Sequence, residues 1–187
     1  MKKIMLLFTI LLIISFSGCK KNIDQQIEND ITTTLNTIIS GNQSGEVYVY
    51  SVDTFEQIIA DDDIAEKMAN KISYKISKTT LTENNATAEV VFTTPDMYTI
   101  ITDTSKNTDN VDDLIENVSD KLDGNYPEKD FNVLLDLKLV NEHWYIVPND
   151  ELSNALSGGL ITYYSELGMN TVDTLTEEES DNDNEKE

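Results

Sequence analysis

The apolar positions of this chain change period several times, and each change marks an element. Ile23, Ile27, Ile31, Leu35 and Ile38/Ile39 recur at helical spacing and predict a helix of about four turns, ended by Gly41 and Gly45. Glu46 to Val52 has the alternation of a short strand. Phe55, Ile58, Ile59, Ile64, Met68 and Ile72 return to helical spacing, with a break at Asp61-Asp62 and a capping box from Asp63 and Glu66. The period then becomes two. Ile72, Tyr74 and Ile76 share one face of a strand running to Leu81, Glu83-Asn84-Asn85 turns it, and Ala86, Ala88, Val90 and Phe92 share one face of the return strand.

Thr94-Pro95-Asp96 stops that strand, and a helix is expected from Met97. After a polar linker over 105–110, Val111, Leu114, Ile115, Val118 and Leu122 form a second helical stripe, closed by Gly124. Phe131, Val133, Leu135, Leu137 and Leu139 alternate with polar residues and predict the longest buried strand face. Asn141-Glu142 turns this strand tightly into His143–Val147, where Trp144 and Ile146 face inward. Asn149 or Asp150 caps a last helix through Leu152, Ala155 and Leu156, ended by Gly158-Gly159; residues 160–169 stay apolar. The strand face and the Val111–Leu122 stripe are expected to share one core.

The two ends of the chain differ from this middle. Met1-Lys2-Lys3 is basic, and Ile4 to Ile14 is an apolar run broken only by Thr9. Eleven residues fall well short of the ~20 that span a bilayer, so the segment reads as an export signal. Phe16-Ser17-Gly18-Cys19 resembles the lipobox of bacterial lipoproteins, with Phe16 where that motif carries Leu. The resemblance implies cleavage after residue 18 and a diacylglyceryl group on Cys19, the mature N-terminus, with residues 19–22 as tether. Two acyl chains at ~0.8 kcal/mol per buried methylene hold a protein at a membrane where a single chain does so only marginally. At the other end, residues 177–187 hold seven acids, one Lys and no apolar residue, and 170–187 is expected to be a disordered acidic tail.

Charge narrows the partners. The net charge is −22; beyond residue 18 there are 11 Lys, no Arg and 35 acids. Such a surface repels nucleic-acid phosphates and anionic headgroups alike, so no nucleic-acid partner is expected and membrane attachment falls to lipid on Cys19. Cys19 is the only cysteine, which excludes an internal disulfide.

Helices first, then a hairpin, a helix, a second hairpin and a terminal helix make an α+β order: N-terminal helices against a curved antiparallel sheet. With the lipobox, the junction Phe92-Thr93-Thr94-Pro95-Asp96 and the closing stretch Val140–Pro148, this order resembles the NTF2-like, cystatin-like lipoproteins of Gram-positive bacteria over residues 23–160. The resemblance implies a sheet cone able to hold a ligand. It implies no activity.

No catalytic, metal or cofactor residue is assigned. Asp61-Asp62-Asp63 lacks the alternate spacing and turn glycine of a calcium loop. His143, the only histidine, has no second His or Cys with which to hold a metal, and its place beside a tight turn predicts exposure. Tyr48, Tyr50, Tyr74 and Asp136 are the residues from which an isomerase-type site would be drawn. The expected function is a non-enzymatic binding or accessory lipoprotein on the outer face of the cell membrane, its ligand a protein, peptide or small apolar molecule. The alternative is a small isomerase or hydratase using an apolar pocket.

Overall fold

A computed structural model describes residues 23–41, 45–50, 62–82, 85–108 and 110–168. The signal, Cys19, the stretch around Phe55–Ile59, the Glu83-Asn84 turn and the acidic tail lie outside them. The elements are α1 (23–39), α2 (Asp62–Ala69), β1 (Ser73–Thr82), β2 (Asn85–Pro95), α3 (Met97–Ser105), α4 (Val111–Asp123), β3 (Glu128–Val140), β4 (His143–Val147), α5 (Asp150–Leu156) and α6 (160–168). The strands form one antiparallel sheet in the order β1-β2-β3-β4, so the fold is α+β, with helices at the N-terminus.

The chain divides into two compact units. The first comprises the N-terminal part to Thr54 with Tyr74–Val91 and Asn132–Asn149. Its buried residues follow the two sequence periods. Ile27, Ile31 and Leu35 of α1 are inaccessible, as are Ala86, Ala88 and Val90 of β2, Val133, Leu135 and Leu137 of β3, and Trp144 and Ile146 of β4. The β3–β4 register pairs Leu139 with Trp144 and Leu137 with Ile146. Asn141 (φ 48°) and Glu142 (φ 71°) both take the left-handed conformation of a type I′ hairpin turn, whose twist matches that of the strands. The sequence placed the turn there; Glu at its second position is less usual than Gly.

Two expectations need correction. Along β3, Leu139 is 47% exposed, because the inner face ends at Leu137, and Phe131, which belongs to the second unit, is only partly buried. β1 runs past Leu81 as expected, with Tyr74 and Ile76 half-buried on one face; beyond Ser77 and Lys78, both exposed, the half-buried positions are Thr79 and Leu81. Of the strand expected over 46–52, the described residues 46–50 form none: Val49 makes a single parallel bridge with Ile146. Ile146 N–H donates to the Tyr48 carbonyl and Tyr50 N–H to the Ile146 carbonyl, each at 2.8 Å.

The second unit comprises Phe55–Ser73, Phe92–Phe131 and the chain from Asp150. Ile64, Met68, Met97, Ile100, Val118, Leu122 and Leu160 form its core, with Ile101, Leu114 and Tyr126 packed against it. The stripe of α4 therefore packs on α2 and α3, not among the Leu135 residues of the first unit as expected. The stripe is covered unevenly: Val118 and Leu122 are buried and Leu114 is partly buried, whereas Val111 is 68% exposed and Ile115 is also exposed. Asp96 caps α3 through Thr99 N–H, and Asn110 caps α4 through Asp113 N–H. Asp63 lies inside α2 and not at its cap; among the described residues its carboxylate accepts from Ser119 Oγ at 3.0 Å and faces Lys67 Nζ at 3.2 Å. Lys67 also reaches Asp123 (2.7 Å) and Ser119 (2.5 Å), which ties α2 to α4. These partners hold the Asp63 carboxyl below its usual range, Ser119 first and Lys67 next, and keep Lys67 raised, chiefly through Asp123.

Candidate functional site

Two polar constellations stand out, and neither is legible as a motif. The first surrounds His143. Asp30 of α1, three residues beyond Ile27 and one before Ile31, is carried into the interior beside the helix stripe and is only 7% exposed. One carboxylate oxygen accepts from Trp144 N–H at 2.8 Å; the other lies 3.2 Å from His143 Nδ1. Tyr48 stacks on the imidazole with ring centroids 4.4 Å apart and planes within 9°, and its edge meets Tyr145. Gln26 Nε2 donates to the Glu142 carbonyl in the turn. The backbone brings Tyr48 into place: its N–H donates to the buried Thr34 Oγ1 at 3.0 Å. His143 is half-exposed as the sequence predicts, yet it is paired on one side and stacked on the other. Asp30 looked like an ordinary polar helix residue; its one signal was its place inside the apolar stripe.

Buried carboxylates require partners. Asp30 finds them on the β3–β4 hairpin, so the cluster fastens α1 to that hairpin. The Tyr48 hydroxyl donates to Glu46 at 2.9 Å, and this bond, followed by desolvation and the Glu46 charge, pushes the phenol up to about 12. A group whose folded pKa is raised contributes stability that is complete below its unfolded value near 10 and lost as pH rises toward 12. The difference in melting temperature between the parent and Tyr48→Phe is therefore expected to shrink steadily from pH 10 to pH 12. A difference independent of pH over that window would show that the Tyr48–Glu46 bond does not form in solution.

The residues considered for an isomerase-type site are not brought together. The Tyr74 hydroxyl donates to Asn36 Oδ1 at 2.8 Å, Tyr50 lies under Lys138 Nζ at 4.2 Å, and Asp136 is exposed on the outer face of β3. Among the described residues no three His, Cys, Asp or Glu side chains group as a metal site, and no helix is long and apolar enough to cross a membrane.

The second constellation is an open cleft of about 760 Å³ in the second unit, walled by the end of α3 and one face of α4. On the α3 side Thr104 and Thr108 donate their hydroxyls back to the backbone, at Ile100 (2.7 Å) and Thr104 (2.9 Å). Asp103 pairs with Lys106 at 2.8 Å, and its carboxyl is lowered, first by that bond and more weakly by Lys121 across the cleft. On the α4 side Asn117, Asp120, Lys121 and Asn125 line the cleft. Spacings of three and four residues set Asn117, Asp120 and Lys121 on one face of α4, away from the buried Val118 and Leu122, and Asn125 lies just past the helix end. Asn117 Nδ2 reaches Thr108 Oγ1 at 3.4 Å, whereas the side chains of Asn107, Asp120, Lys121 and Asn125 hold no hydrogen bond among the described residues.

No family model, curated protein or solved structure matches this chain. The structure defines its class, an α+β protein with an antiparallel sheet, and its candidate site rests on its own geometry.

Proposed function

We propose that this protein is an extracytoplasmic lipoprotein, held at the outer face of the cell membrane by lipid on Cys19, whose folded part is a non-enzymatic binding or accessory module of NTF2-like type. One observation carries the anchoring: Ser17-Gly18-Cys19, with the only cysteine of the chain, lies two residues beyond an apolar run too short to span a bilayer. With 35 acids on the chain, attachment to an anionic bilayer needs such a lipid. The reading as a binding module is supported by the cleft, which is open, is lined by polar side chains and has no tyrosine among its lining residues. The Tyr48 and Tyr74 hydroxyls are engaged by Glu46 and Asn36 instead.

Cys19→Ala tests the anchor. The variant is expected to appear in the medium or to keep its signal, and to lose incorporation of labelled palmitate. A variant that is cleaved normally and still sediments with membranes would overturn the reading.

A further inference from the structure

We propose that the cleft between α3 and α4 binds a neutral, hydroxyl-rich ligand, a saccharide; this rests on the reading of the protein as a binding module. Its volume of about 760 Å³ lies within the ~300–1,000 Å³ of small-ligand sites. The lining decides the class of ligand. Every lining side chain ends in an amide, hydroxyl, carboxylate or ammonium group, and none is aliphatic or aromatic. A lipid tail or a flat aromatic ligand would exchange water for polar groups it cannot satisfy, and those groups would be left without hydrogen bonds.

Charge removes two further classes. Lys106 pairs with Asp103 and Lys121 balances Asp120, so the cleft has no excess charge of either sign, while the −22 of the whole chain disfavours phosphates and carboxylates. A divalent cation would find two carboxylates, one of them already paired with Lys106, and an ammonium group in the same space.

A sugar meets the opposite situation. Each hydroxyl both donates and accepts. Asn107 and Asn125 do the same, Asp120 accepts only and Lys121 donates only. These four hold no hydrogen bond among the described residues, so a ligand displaces water and breaks no bond within the protein. Asp120, Lys121 and Asn125 run along one side of α4 and past its end, which suits a chain of rings better than a single compact molecule. The carboxylate and the amides match vicinal hydroxyls as acceptor and donor pairs. The cleft is open to solvent, so each bond competes with water and the affinity is weak.

The test uses the processed, lipid-bearing protein in a polyoxyethylene detergent, which carries no sugar headgroup. Maltotetraose and the tetramer of N-acetylglucosamine are titrated while the side-chain amide NMR signals of the asparagines are followed. Saturable shifts of Asn107, Asn117 and Asn125 with at least one of the two sugars are expected. Affinity should fall at least tenfold in Asn117→Ala/Asp120→Ala, whose sites are both exposed, at an unchanged melting temperature. Asn125→Ala, beyond the helix, should give an independent loss. Shifts with neither sugar, or shifts elsewhere in the molecule, overturn the inference. So does a cleft that responds to inorganic phosphate or to a lysine peptide and not to sugar. A protein that is lipidated on Cys19 and membrane-held yet binds neither sugar would sink this proposal and leave the anchoring intact.

Discussion

Replacing Gly158 by alanine is expected to cost about 2–5 kcal/mol of folding stability, among the largest single-residue losses in the molecule. Gly158 follows α5 with φ at +62°, and Gly159 continues at +94°. The backbone turns so sharply that the Gly158 carbonyl accepts from Met97 N–H at 2.9 Å, at the start of α3. A Cβ at Gly158 would lie 2.3 Å from the Pro95 carbonyl oxygen and 2.9 Å from Met97 Cγ. The first neighbour is backbone and cannot yield without moving the end of β2. Gly41 supplies the control: its φ is also +62°, but nothing lies within 4 Å of its added Cβ. Gly41→Ala should carry only the left-handed strain, about 1–2 kcal/mol. Urea unfolding of both variants decides the matter, and equal losses would mean that the close approach at Pro95 is absent.

Leu135→Ala is expected to cost about 2–5 kcal/mol, through lost burial and the cavity left in a tightly packed interior. Leu134→Ala, one residue earlier, should cost under about 1 kcal/mol. Leu135 is fully buried while Leu134 is 50% exposed, as the two-residue period of β3 demands. With Cys19 the only cysteine, no disulfide holds the chain while the cavity relaxes. Thermal unfolding measures both, and equal losses would mean that β3 is covered on both faces.

Several elements were legible because a local rule sufficed to find them. The strands of Ala86–Phe92 and Val133–Leu137 announce themselves by alternation, α1 by its isoleucine spacing, and the second hairpin by Asn141-Glu142. The junction Thr94-Pro95-Asp96 marks both the end of β2 and the cap of α3. Helix 160–168 was not assigned, because Gly158-Gly159 reads as an ending; in the structure it is a bend between two helices. The Asp63–Glu66 capping box failed for a similar reason. Its pattern is local, but the carboxylate of Asp63 has stronger partners in Ser119 and Lys67, more than fifty and only four residues away. Charge-assisted bonds to a distant helix outcompeted the cap.

What the sequence determined by itself is therefore whatever depends on neighbours along the chain: the α+β order of elements, the inner faces of the strands and α1, the tight turn, and the expectation that Cys19 carries lipid. All but the last follow from side-chain periodicity and turn stereochemistry, which act over a few residues; lipid on Cys19 is what the resemblance of residues 16–19 to a lipobox implies. The tertiary structure alone decided which stripe meets which. It divided the buried residues between two compact units, left Val111, Ile115 and Leu139 in solvent, and drew Asp30 to His143 across more than a hundred residues. It also set the end of α3 beside the face of α4 that bears Asp120 and Lys121, and so made a cleft of residues that no spacing singles out. Burial and hydrogen bonding between distant segments depend on where the chain returns in space, and local periodicity carries no record of that.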